Sequence, residues 1–554
     1  MPWARLLAAV SLLASLLAAA SPVRARHAMV VTREPHATEA GLNVLRAGGN
    51  AVDAAVAAGL ALAVTHPSAG NIGGGGFMLI RFADGRATFL DFRERAPGKA
   101  GRDMYLDAGG KPTGESVLGW RACGVPGSLR GFEYASRKYG RKPWSDLVAP
   151  AVELAANGFP VSYGLASSLR ASRNLSKFPE SRRIFQRDGR YFERGETLVQ
   201  PELARTLARV AKEGAKDFYE GETARILARE MASHGGLITL DDLKGYAVVE
   251  RRPLEGDYRG YHIVGAPPPS AGGVGLLQML GMLEGSGYEK AGAGSAAAIH
   301  YVAECMRRCY ADRSEYLADP DYYDVPVKAL LDRPYLAKRR ESIDLEKATP
   351  SRSLRPGDFK SREGGETTHY SIVDAEGNAV AVTYTLNGGY GSGVAVPGLG
   401  ALMNNEMDDF SAKPGAPNTS GLIYGEANAI QPGKRPLSSM TPTIVLRGGN
   451  LYMVLGTPGG LRIISNVLEV LLNVVDFRMN IQDAVNRPRF HHQWQPDKLY
   501  LEPGFSPDTE ALLRARGHAL ERVGSMCEIS AILVEGGWLQ GAPDPRTERN
   551  ALGY

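Results

Sequence analysis

The sequence predicts a fold of the α+β class, on three observations. Strand-like alternation comes in a paired form, clearest from Thr367 to Val373 and from Asn378 to Asn387. Ala51 to Val64 is apolar on nearly every face, which predicts a fully buried helix. From Trp120 to about Lys347 the spacing is mainly helical, as in Trp144 to Ala156 and Ala296 to Ala311.

Composition sets the outer limits. A chain of 554 residues, 44% of them hydrophobic, can build a large core and several domains. A net charge of +4 is too small to argue for nucleic acid or an anionic surface. Arg5 precedes an apolar run, Leu6 to Ala20. This reads as a secretory signal within residues 1–25, its end between 20 and 25: Ala18 and Ala20 fit a small-residue cleavage site, and Ala25 is a second possibility. An uncleaved anchor is the alternative. Export to the periplasm or outside the cell would permit disulfides among Cys123, Cys305, Cys309 and Cys527. Cys305 and Cys309 lie one helical turn apart, a poor geometry for a bridge. Four packed thiols are expected.

Taken in order, Thr38 to Ala47 predicts a helix closed by Gly48-Gly49, and Asn50 caps the next with Asp53 in its first turn. Gly73 to Gly76 leads into a strand, Phe77 to Arg81. The order helix, glycines, strand reverses that of a dinucleotide turn, so close backbone packing is expected rather than a phosphate cradle. A strand from Ala87 to Leu90 runs into Asp91-Phe92-Arg93-Glu94-Arg95. Alone, that segment fits a solvated ion-pair cluster better than a guanidinium fork for a carboxylate. Pro267 to Gly273 makes a rigid turn before an apolar helix, Val274 to Leu283. Ser351 to Glu366 is the best internal linker.

The Thr367 hairpin follows. Gly377 suits the left-handed position of a short loop. If Asp374 pairs with Asn378, partner numbers sum to 752 and Thr385 faces Thr367. Cutting Glu366–Thr367 would give Thr367 a free amine, of reference pKa about 7.7–8.0, on the same residue as its hydroxyl. A threonine with its own amine as base is a workable nucleophile. Asn404 to Phe410 clusters Glu406, Asp408 and Asp409 without a nearby histidine or calcium-loop spacing, so no metal is expected. Such acids suit an ammonium group. Ser438-Ser439 alone is an ordinary turn. Gly459-Gly460 lies between a strand, Leu451 to Leu455, and a long apolar helix, Arg462 to Phe477. Unpaired N–H groups at that helix start suit an oxyanion. His491 and His492 would point to opposite faces of an extended segment and so serve structure rather than one ion. A last hairpin, Ile529 to Leu539, turns at Gly536-Gly537.

From Val30 to Tyr554 the sequence resembles the γ-glutamyltransferases (γ-glutamyl transpeptidases), which are N-terminal-nucleophile hydrolases. The resemblance is carried by Gly70 to Leu79, Asp91 to Pro97, Thr367 to Ser371, Asn404 to Phe410, Arg435 to Met440 and Thr457 to Gly460, all in family order. It implies a four-layer αββα sandwich, self-cleavage before Thr367, and a large chain (26–366) with a small chain (367–554) sharing one catalytic domain. Thr367 is then the nucleophile and Thr385 its neighbour. Gly459 and Gly460 form the oxyanion site. Arg93, Ser438 and Ser439 hold the substrate α-carboxylate, Glu406 and Asp409 its α-amino group, and Asn387 joins them. The implied substrates are glutathione and other γ-glutamyl compounds, with water, amino acids or dipeptides as acceptors and no cofactor. A cephalosporin or glutaryl acylase of the same fold is the nearest rival, and an unprocessed periplasmic binding protein a more distant one. Family members carry an aromatic on a lid after the acidic motif. Here Ser420 takes that place in the loop Lys413 to Tyr424, with Tyr424 as a substitute.

Overall fold

The computed structural model describes residues 20–355, 366–413, 425–548 and 550–554. Two seven-stranded sheets form its centre. Fourteen strands make them up: β1 Val23–Ala25, β2 Met29–Val31, β3 Gly75–Arg81, β4 Ala87–Phe92, β5 Val249–Arg251, β6 Leu254–Tyr258, β7 Tyr261–Gly265, β8 Glu366–Val373, β9 Ala379–Asn387, β10 Thr443–Arg447, β11 Asn450–Gly456, β12 Ser530–Glu535, β13 Trp538–Pro543 and β14 Ala551–Gly553. The first sheet has the order β14-β2-β8-β9-β3-β4-β5, and the second β1-β13-β12-β11-β10-β7-β6. All pairings within both sheets are antiparallel.

Side-chain alternation builds the layers. On β9, Val380, Val382 and Tyr384 pack into an apolar cluster with helix α1, Ala51–Thr65, while Ala379 and Ala381 pack toward the second sheet. The far face of the second sheet is covered by α2 (Gly272–Leu283), α3 (Ala296–Tyr316) and α4 (Arg462–Val475). The order helix, sheet, sheet, helix is the expected four-layer αββα sandwich.

Helix α1 is buried at every residue, as its all-round apolarity predicts. Asn50 Oδ1 accepts from the N–H groups of Val52 and Asp53, and Asp53 returns a bond to the Asn50 N–H at 2.9 Å. This reciprocal cap fixes the helix start. Tyr370 on β8 and Tyr384 on β9 donate their hydroxyls to the α1 carbonyls of Ala55 and Gly59, each at 2.8 Å. A Cβ on Gly59 would sit 2.6 Å from the Tyr370 hydroxyl, so glycine permits this docking. The hairpin β8–β9 is thereby clamped to the most buried helix of the fold.

The structure refines two readings. The stretch from Trp120 to Lys347 is mainly helical, as expected, but it also contains β5, β6 and β7, strands of three to five residues. Such short strands give too few alternations to register as a pattern. The DFRER segment is not a solvated ion-pair cluster, since Arg93 and Glu94 are fully buried. Other readings match. The glycine run packs backbone against backbone: Gly74 lies so close to the Thr385 carbonyl that any Cβ would collide with it. All four cysteines are free thiols. His491 bonds Ser465 and His492 meets Asp497, so the two rings serve different contacts. Among the described residues no helix is long and apolar enough to cross a membrane. The apolar run before residue 20 and the loop from 414 to 424, with Ser420 and Tyr424, lie outside the described residues.

Candidate active site

The β8–β9 hairpin turns as the sequence predicts. Asp374 N–H donates to Asn378 O at 3.1 Å, Asn378 N–H returns to the Asp374 carboxylate at 2.9 Å, and Gly377 has φ 88°. The register of 752 holds from Val373↔Ala379 to Thr368↔Tyr384. It then breaks, because Glu366 pairs with Asn387. Two residues of β9, Thr385 and Leu386, therefore oppose Thr367 alone. This is a β-bulge, a device that re-aims side chains beside sites. The directly opposed Thr367–Thr385 pair expected from the register is thus replaced by a bulge, in which Thr385 and Leu386 together stand across from Thr367.

The bulge is held from below. Asn387 adopts the left-handed conformation at φ 71°, one of the few such non-glycine residues, and its N–H donates to Thr385 Oγ1 at 2.7 Å. Asn387 Nδ2 donates to Asn405 O at 2.9 Å, and Asn405 N–H donates to Leu386 O at 3.0 Å. These bonds hang the acidic segment directly from the end of β9. On the sheet-to-sheet face below Thr367, His369 bonds Thr383 Oγ1 at 2.8 Å and Ser371 Oγ at 3.1 Å. Burial pushes the His369 imidazole down to about 3, so it is neutral. Its ring fills the space that a Cβ on Gly456 would need. The end of β11, which leads to Gly459-Gly460, is thus packed against the strand carrying Thr367.

Arg93 leaves the end of β4 and gathers the acids. Its guanidinium meets Glu406, and its Nη2 lies 2.5 Å from Asp409 Oδ2. Nη2 also donates to Leu437 O at 3.0 Å and Nε to Pro436 O at 3.3 Å, which brings the Ser438-Ser439 turn alongside. Tyr246 fixes the Arg93 carbonyl at 2.8 Å. Ser439 Oγ accepts from Arg313 at 2.7 Å, and Ser438 is tied to the Pro267–Gly273 turn through Pro269 O and Ala271 N–H. Arg93, Glu406, Asp409, Ser438 and Ser439 therefore form one cluster, with Asn387 and Thr385 linked to it through Asn405.

Glu94 joins this cluster, and sequence reasoning missed it. It lies 3.6 Å from Arg93, is fully buried, and neither carboxyl oxygen has a hydrogen-bond partner among the described residues. Burial pushes its carboxyl up to about 7, against the pull of Arg93. Burial and mutual repulsion also raise Glu406 and Asp409 well above the usual carboxylate range. Three buried carboxyls share one guanidinium, so the group holds protons near neutral pH and titrates as a unit. A second cation entering here would offset one more of these charges.

Gly459 (φ 130°) and Gly460 (φ 59°) form the turn between β11 and α4. Their carbonyls accept from Arg462 and Ile463 at 3.2 and 3.1 Å, opening the helix and leaving the N–H groups at its positive end. Cys527 packs against Gly459 so closely that a Cβ there would collide with its sulfur.

The γ-glutamyltranspeptidase family profile matches residues 37–554. The chain belongs to the γ-glutamyltranspeptidase family. It is 50% identical over 530 residues to the glutathione hydrolase proenzyme of Escherichia coli K12, covering 95% of this chain and 91% of the relative. It is 49% identical over 552 residues to the glutathione hydrolase proenzyme of Pseudomonas sp. strain A14, covering 97% and 96%. The crystal structure of cephalosporin acylase from Bacillus halodurans superimposes with a TM-score of 0.86 at 28% identity, over 97% of each chain. The γ-glutamyltranspeptidase family thus shares its fold with an acylase, as the sequence led us to expect. What separates the two activities has to come from site residues rather than from the fold.

Proposed function

We propose that this protein is a self-processing γ-glutamyltransferase and glutathione hydrolase. The observation that carries the reading is the buried group of Glu406, Asp409 and Glu94 around Arg93. An amino-acid head bears a carboxylate and an ammonium. Arg93 with Ser438 and Ser439 suits the first, and the acids suit the second. A glutaryl group lacks the ammonium and has no use for three buried carboxyls, which favours the γ-glutamyl substrate over the acylase alternative.

Processing begins with Thr367 Oγ attacking the Glu366 carbonyl carbon. The peptide C–N bond breaks as an ester forms, and water hydrolyses that ester. The residues from the signal cut to Glu366 become the large chain and 367–554 the small chain, both remaining in one domain. Thr367 now carries a free amine. In turnover its Oγ attacks the γ-carbonyl of the substrate while the amine takes the hydroxyl proton. The Gly459 and Gly460 N–H groups receive the developing oxyanion. The tetrahedral adduct collapses, the amine proton passes to the leaving nitrogen, and cysteinylglycine departs from glutathione. Water or the amino group of an acceptor amino acid or dipeptide then attacks the ester carbon, its proton passes through the Thr367 amine to Thr367 Oγ, and the C–Oγ bond breaks to restore the free threonine. The apolar run before residue 20 supports removal of the signal during export to the periplasm or the medium, with the cut near Ala18–Ala20 rather than at Ala25, because Val23–Ala25 is strand β1 of the second sheet.

Intact-mass measurement of the purified protein tests processing and export together. Two chains are expected, the smaller beginning at Thr367. A single uncut chain with no transferase activity would support the binding-protein alternative instead.

A further inference from the structure

Asp409 and the 436–439 turn come from different parts of the chain, and one side chain joins them. Asn428 ends a single helical turn, Glu426–Asn428, and is fully buried. Its Nδ2 donates to Asp409 O at 2.6 Å, and its Oδ1 accepts from Leu437 N–H at 3.2 Å. These partners fix the orientation of the amide, since a carbonyl only accepts and an N–H only donates. Leu437 in turn offers its carbonyl to Arg93 Nη2 at 3.0 Å. The Asn428 carbonyl accepts from Ser411 N–H at 2.9 Å, two residues beyond Asp409.

An ammonium group holds Asn428 in place. Lys434 is buried, and its Nζ donates to the carbonyls of Ala427 and Ala429 at 2.6 and 3.0 Å. These residues flank Asn428, so one cation grips the backbone on both sides of it. The Lys434 carbonyl accepts from Ala96 N–H at 2.8 Å, three residues after Arg93. Asn428 therefore sits where the segments bearing Arg93, Asp409 and Ser438-Ser439 meet.

We infer that, granted the γ-glutamyl reading of the cluster, Asn428 is a positioning residue for substrate specificity. It sets the spacing between the acid assigned to the substrate ammonium and the turn assigned to its carboxylate. An α-amino acid head carries both groups on one carbon, so the two halves of its site must stand at one fixed separation. Groups that act on a substrate need such support from the residues behind them. The two halves are not anchored equally. The 436–439 turn keeps other ties: Arg435 N–H donates to Asp319 Oδ2 at 2.7 Å, Ser438 N–H to Pro269 O at 2.8 Å, and Arg93 to the Pro436 and Leu437 carbonyls. Asp409 has its carboxylate on Arg93 and its carbonyl on Asn428. Loss of the Asn428 amide should therefore shift the ammonium half and leave the carboxylate half in place.

The test uses the processed, full-length protein with Asn428→Ala and with the isosteric Asn428→Asp. The second keeps an acceptor for Leu437 N–H but loses the donor to Asp409 O. KM and kcat are measured for γ-glutamyl and glutaryl p-nitroanilides, and a denaturing gel follows self-cleavage. For the γ-glutamyl anilide, KM should rise about fivefold in both variants, one buried hydrogen bond being lost. Its kcat should stay within about twofold of wild type, because the head is held alike in ground and transition states. The glutaryl anilide should change less than about twofold in either parameter. In an Asp409→Ala background, adding Asn428→Ala should no longer raise the γ-glutamyl KM, because the group it positions is gone. Equal KM rises on the two substrates, a fall in kcat at constant KM, additive effects in the double variant, or a variant that fails to cut itself would each overturn this role. A γ-glutamyl preference that survives intact in both Asn428 variants would overturn the role of Asn428 alone. A wild-type enzyme with no preference for the γ-glutamyl anilide would overturn the γ-glutamyl reading, and this role with it.

Discussion

Replacing Asp409 by alanine separates the γ-glutamyl reading from the acylase reading most sharply. Asp409 Oδ2 lies 2.5 Å from Arg93 Nη2, and its other oxygen has no hydrogen-bond partner among the described residues. A substrate ammonium would find that oxygen available. A hydrogen bond to a charged group contributes about 1.5–3 kcal/mol, which corresponds to roughly a 10- to 150-fold loss in kcat/KM. Glu406 and Glu94 remain, and they keep the loss from growing further. Arg93 also retains Glu406, Leu437 O and Pro436 O, so the carboxylate fork should survive. A glutaryl anilide, which lacks the amine, should lose less than about threefold by the same reasoning. The assay compares γ-glutamyl and glutaryl p-nitroanilides on the same preparation, with a denaturing gel to confirm that the variant still cuts itself. Equal losses on the two substrates would refute the claim that Asp409 reads the ammonium.

Thr385→Val keeps the strand shape but removes the hydroxyl that accepts from Asn387 N–H; it should slow both self-cleavage and turnover about fivefold to tenfold, and wild-type rates in gel and anilide assays would remove Thr385 from the site. Gly459→Ala places a methyl against the Cys527 sulfur at a φ of 130°; kcat should fall about 100-fold or more with little change in KM, and an unchanged kcat would show that this turn does not hold the oxyanion. Glu94 with its carboxyl near 7 is charged above that pH and neutral below it. Attraction for the ammonium is therefore lost as pH falls through about 7, so kcat/KM for the γ-glutamyl anilide should fall with it, beyond any decline seen with the glutaryl anilide. Because the three carboxyls titrate as a unit, Glu94→Gln should move that difference to another pH, and an unmoved difference would assign the titration elsewhere.

Much of the fold was legible because it depends on local chemistry. Asn50 with Asp53 announced a helix start, and Gly377 announced a left-handed loop position. The hairpin register followed from that loop, and it is correct for six pairs. The bulge at Thr385-Leu386 was not legible, because an alternating pattern does not say where two residues oppose one. What sets it is Asn387, held in a left-handed conformation and bonded to Asn405, a long-range contact invisible in the hairpin itself. Glu94 was missed for a related reason. In sequence, Arg beside Glu reads as a solvated pair, and only folding reveals that both are buried with two more carboxyls. The catalytic assignments themselves came from family resemblance, since a threonine at a strand start has no chemical signature until its preceding bond is cut. His369 sat within the recognised motif, but its role in seating β11 required the second sheet to be in view.

The central claim is that Thr367 forms a covalent γ-glutamyl ester. Rapid acid quench of the enzyme during turnover of a γ-glutamyl anilide, followed by peptide mass mapping of the small chain, tests it directly. The account predicts one γ-glutamyl group on the peptide that begins with Thr367, absent from a Thr367→Ala protein, which should also remain a single uncut chain. A γ-glutamyl group on any other residue, or a Thr367→Ala protein that still yields two chains, would contradict it.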